Sequence, residues 1–118
     1  MAITTLTATA LTKETAQVIT AGSGTAIDPA NSMIVAYPRE GKLLIIIQSA
    51  HASTAATFAA SDYFTAAGQG TLEIAVGNGV TKLVVFLSSD RFKQLDGTLE
   101  WTWAALSAGF VQVYTLPY

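Results

Sequence analysis

Apolar and polar positions alternate along several short stretches of this chain, and the repeat is two residues. Across Thr71 to Val76, Leu72, Ile74 and Val76 fall on one side and Thr71, Glu73 and Ala75 on the other, the spacing of a half-buried β-strand. Thr98 to Ala104 repeats it, with Leu99, Trp101 and Trp103 opposed to Thr98, Glu100 and Thr102. Leu43 to Ile47 is apolar without a break. A run that short suits a strand covered on both faces or a piece of buried helix, and its length and the preceding Gly41 favour the strand.

Turn chemistry divides these stretches. Gly77-Asn78-Gly79 leads from 71–76 into Thr81 to Leu87, and Ser107-Ala108-Gly109 leads from 98–104 into Phe110 to Leu116. Pro38 to Gly41 separates Ser32 to Tyr37 from Lys42 to Ser49. Each reversal predicts a β-hairpin. Ala16 to Thr20 reads as a short strand, and Ala21 to Thr25 with Asp28 to Asn31 as one turn-rich connection. The Ala-rich stretch 50–67 holds a strand around Phe58, within Ala55 to Ala60, and a possible helical turn at Ser61 to Phe64.

About eight short strands with no long helix predict an all-β protein: a single-domain antiparallel β-sandwich or jelly-roll-like barrel. Residues 1–15 interleave Thr with Ala, Leu and Ile and read as an extended N-terminal arm or edge strand, leaving 16–118 as the sandwich.

Composition adds a hint of assembly. Of 118 residues, 51% are hydrophobic and 12% charged, where soluble domains carry about 25% charge. Much of the surface must then be small and weakly polar, as suits a chain covered by neighbouring subunits. The net charge is −2 and the basic residues Lys13, Arg39, Lys42, Lys82, Arg91 and Lys93 are scattered, which gives nucleic acid no electrostatic footprint. Cysteine is absent, so stability is expected from packing or oligomerisation. The N-terminus has neither a basic n-region nor an apolar h-region, and the longest aliphatic run is too short to span a bilayer. These features lead us to expect a soluble product without a signal peptide or a membrane partner.

Candidate chemistry is sparse. His51, the lone histidine, lies near Ser49 and Ser53 without a nucleophile-elbow motif, and reads as a locally hydrogen-bonded loop residue. The acids are spread singly, so no metal or cofactor is expected. Glu73 and Glu100 could meet across a sheet as a glycosidase pair, but solvation is the ordinary fate of such charges. Trp101, Trp103 and Tyr114 could form a sugar-stacking platform, yet the two tryptophans share a face with Leu99, which places them in the core. No enzymatic activity is expected.

The most distinctive segment is 88–97, SSDRFKQLDG, where mixed charge meets an aromatic residue. Continued as SSDRFKQLDGTLEWTW and taken with TLTATALTKETAQVITAGSGTAIDPANSMIVAYP at 5–38, it resembles small head decoration or minor capsid proteins of tailed bacteriophages. The likeness extends over most of the chain. It implies a β-rich virion protein, made in the host cytoplasm, that attaches to the capsid exterior. Its partner would be the major capsid protein, bound at junctions between capsomers, with a homo-oligomer, often a trimer, as the unit. The resemblance also implies an N-terminal arm reaching onto the shell. Under that reading Ile3, Leu6 and Leu11 of the arm and Asp90, Arg91, Phe92 and Lys93 of the charged loop are the candidate contacts. Two alternatives stand beside it. The first strand can instead fold back on its own sheet, and Phe92 can simply pin its loop. A carbohydrate- or receptor-binding module, tail-associated or adhesin-like, is the competing function and requires exposed aromatic residues.

Overall fold

The computed structural model describes residues 2–12, 16, 18–19, 22–36, 42–60, 70–87, 92, 94 and 96–116. Ten strands lie among them, and no helix. They are β1 (Ala2–Leu6), β2 (Thr9–Ala10), β3 (Thr25–Ala26), β4 (Asn31–Ala36), β5 (Lys42–Ser49), β6 (Ala55–Phe58), β7 (Leu72–Ala75), β8 (Thr81–Leu87), β9 (Thr98–Trp103) and β10 (Gly109–Thr115). The first sheet runs β1-β4-β9-β6-β7 and the second β2-β10-β5-β8, with β3 also pairing β10. Both sheets are open, so the protein is an all-β sandwich.

Inward rows from the two sheets make the core. Met33, Val35, Ala56, Phe58, Leu99, Trp101 and Trp103 of the first sheet meet Leu43, Ile45, Ile47, Phe86, Val111 and Val113 of the second. The ring of Phe58 lies 4.8 Å from Phe86 of the opposite sheet and 5.4 Å from Trp101. Edge-on contact at 5.6 Å adds Phe92 to the cluster. The uninterrupted run in β5 behaves as its pattern requires, with Leu43, Ile45, Ile46 and Ile47 all buried.

The three expected hairpins are not hairpins. β4 and β5, β7 and β8, and β9 and β10 each split between the two sheets, so those reversals are arches that carry the chain across the core. At 77–80 the reason is visible. Val80 N–H donates to the Gly77 carbonyl at 3.0 Å, and only Gly79 takes a positive φ, +72°. A two-residue hairpin turn of type I′ needs positive φ at both central residues; Asn78 does not adopt it, and the strands diverge. Consecutive strands share a sheet only at β2–β3 and at β6–β7, an antiparallel pair joined through residues 59–71.

Two further expectations change. The sheets are mixed, not antiparallel throughout, because β1 runs parallel to β4 and β2 parallel to β10. Of the strand expected over Ala16 to Thr20, the described residues 16, 18 and 19 are not in strand. The helical turn at Ser61 to Phe64 lies outside the described residues.

Residues 2–10 are extended, and they lie on the chain's own sandwich. β1 lines the edge of the first sheet, Thr7 and Ala8 cross over, and β2 lines the edge of the second. Leu6 is buried in the core opposite Val35, and Leu11 N–H donates to the Thr115 carbonyl at 2.9 Å. The first strand therefore folds back on its own sheet.

Candidate binding surface

The expected chemistry centres resolve into local structure. Ser49 Oγ donates to the His51 carbonyl at 2.8 Å, and His51 Nδ1 accepts from Ser53 N–H at 3.0 Å. The histidine thus shapes the β5–β6 reversal, and the serine hydroxyl is held by backbone, away from the imidazole. In the first sheet Glu73 pairs with Thr57, and Thr57 with Thr102, so Glu73 and Glu100 stand two strands and two residues apart. Strand spacing puts their Cα atoms about 12 Å from each other, with the β6 strand between theirs. No group of three potential metal ligands occurs among the described residues.

Both tryptophans are core residues, as their shared face with Leu99 predicts, and Tyr114 is buried as well. Their indole Nε1 atoms are buried without a hydrogen-bond partner. Among the described residues no aromatic ring is classed as exposed. The three residues expected to form a sugar-stacking platform are therefore all buried.

The seven candidate contacts separate. Ile3 is 58% exposed on the outer side of β1, beside Ser32. Leu6 is buried and Leu11 half-buried. Phe92 is 6% exposed and packed on Phe86, so it pins its loop from within the core, and Gln94 Nε2 ties the same loop to the Ala60 carbonyl at 3.0 Å. Asp90, Arg91 and Lys93 lie outside the described residues.

Sequence reasoning missed a second apolar surface. Leu83 is 58% and Val85 42% exposed on the outer face of the second sheet, and Val80 is exposed just before them. In register with them lie Leu44, opposite both Val85 and Tyr114, and Ile46, opposite both Leu83 and Gln112. The signal was present in Leu83-Val84-Val85-Phe86, which has no polar alternate positions, but the assumed hairpin hid which side faces out. Where the outer face meets β10, Gly22 N–H donates to Gln48 Oε1 at 2.8 Å and Gln112 Nε2 to Ser23 Oγ at 2.6 Å. Residues 22–23 therefore cover that half and leave the β8 half open.

Comparison of the chain with protein-family models, with curated proteins and with solved structures finds no match.

Proposed function

We propose that this protein is a structural component of a bacteriophage virion that binds the outer surface of the capsid and stabilises it, with the major capsid protein as partner. The reading rests on the sequence resemblance and on one structural observation in particular. The outer surface at β1 and β4 presents Ile3, Thr5 and Ala36 with the half-buried Ile34, an uncharged strip bordered by Glu100 opposite Ile34 and of the kind subunit contacts use. No residue set described above is arranged for catalysis, and a non-enzymatic role is part of the proposal. The carbohydrate-binding alternative is left without exposed aromatic rings among the described residues.

Co-sedimentation tests it. The protein should pellet with purified expanded heads and stay in the supernatant with unassembled coat subunits; retention in the supernatant with heads overturns the proposal. Ile3→Lys should weaken head binding about ten- to hundred-fold, the loss of one buried aliphatic side chain, while leaving the circular dichroism spectrum unchanged because Ile3 faces solvent.

A further inference from the structure

The second sheet ends on a strand that is complementary to itself. β8 pairs with β5 on one side, and no described strand pairs with its other edge. Natural edges are shortened, charged, bulged or broken by proline. Seven residues long and written TKLVVFL, β8 has no proline, and its single charge, Lys82, is on the inward row with Val84 and Phe86 one residue from the strand's start, which leaves 83–87 uncharged. Unpaired by any described strand, that edge is a template for another strand, and the exposed outward side chains Leu83 and Val85 would lie side by side with apolar neighbours of a pairing strand.

We infer that β8 pairs antiparallel with β8 of a second copy of this chain across a two-fold axis through Val84. That register sets Leu83 opposite Val85 of the second copy and Val85 opposite its Leu83. Lys82 falls opposite Phe86, and the two lysines stand about 13 Å apart along the strands, beyond the roughly 8–10 Å screening length of physiological salt. A register centred on Lys82 would place the two charges face to face, so charge selects the Val84 axis. Existing cross-strand pairs then continue over the junction. Tyr114, Leu44 and Val85 of one copy run into Leu83, Ile46 and Gln112 of the other, and the two-fold axis generates the same row in reverse. Open edges vanish at the junction and the second sheet becomes eight strands wide, within the size that open twisted sheets reach. The inference stands apart from the capsid reading, and its product is a two-fold pair, where the family resemblance implies a trimer.

Sedimentation equilibrium on the full chain, from 1 to about 500 μM, is the test. The expected result is twice the 12.3 kDa chain mass; a monomer throughout, or a three-chain mass, overturns the inference. Register is tested by charge. Leu83→Lys with Val85→Lys sets like charges opposite each other and should weaken association at least about ten-fold, whereas Leu83→Lys with Val85→Glu sets opposite charges across both symmetry-related pairs and should associate at least about ten-fold more tightly than the double lysine variant. Equal masses and affinities for the two variants would show that another surface makes the dimer. Both side chains are exposed, so circular dichroism should report an unchanged fold.

Discussion

Leu106 stands in a conformation that suits glycine. It is the one non-glycine among the described residues with a positive φ, +71°, and it occupies the third position of the turn closed by Ser107 N–H donating to the Ala104 carbonyl at 3.1 Å. A left-handed backbone crowds the Cβ of any L-residue, at a cost of roughly 1–2 kcal/mol, and the leucine side chain recovers little of it because it is 67% exposed. Replacing Leu106 by Gly should raise stability by about 0.5–1 kcal/mol, read as a higher denaturation midpoint at unchanged slope; a lower midpoint would show that the side chain contributes packing. Gly109 shows the reverse case. Its φ is +133° and a Cβ there would collide with the Gln48 carbonyl oxygen, so the glycine lets β10 start flush against β5.

At the scale of elements, the N-terminal strand carries part of the core. Leu6→Ala should cost about 2–4 kcal/mol in chemical denaturation, since it removes a buried aliphatic side chain where the chain passes between sheets; Ile3→Ala, on the outer side of the same strand, should change stability by less than about 0.5 kcal/mol. Equal costs at the two positions would mean that β1 does not hold its place on β4. Strand existence and burial were legible from the alternating and continuous apolar runs, and Leu99, Trp101 and Trp103 face inward as their spacing requires. Strand partnership was not. A reversal such as Gly77-Asn78-Gly79 records that the chain turns, while the sheet it turns into depends on φ at Asn78 and on which inward rows must meet across the core. The same limit applies to the candidate contacts, because Phe92 sits in a charged segment whose sequence marks a surface loop, yet its ring completes the Phe58–Phe86 cluster. Two buried hydroxyl groups were likewise beyond sequence reading. Thr54 Oγ1 donates to the Ala108 carbonyl and accepts from Ala108 N–H, both at 3.2 Å, and Ser107 Oγ accepts from Ala55 N–H at 3.3 Å. They fasten the β5–β6 reversal to the β9–β10 reversal at one end of the sandwich.

Across the whole molecule, the radius of gyration is 13.9 Å, against about 13.5 Å for a compact chain of this length, and β1 and β2 pair with β4 and β10 of the same sandwich. Most strand partners are distant in sequence, because the arches send neighbours to opposite sheets. Such a topology closes long loops before contacts repay them, and folding should take milliseconds to seconds, not microseconds. Trp101 and Trp103, buried at the centre, supply the fluorescence signal for a stopped-flow measurement; a relaxation faster than about 100 μs would contradict the topology.

The pairing of β2 with β10 has a bearing on how the protein is made. β2 needs as its partner a strand about a hundred residues later in the chain, and until residues 109–115 emerge from the ribosome, β5 also lacks one of its two neighbours. The sandwich can close only once residues 109–115 have emerged, and until then the apolar runs 43–47 and 83–87 are exposed together in an unfinished chain. Nascent-chain chaperones and synthesis rate should therefore govern yield more than the stability of the finished fold does.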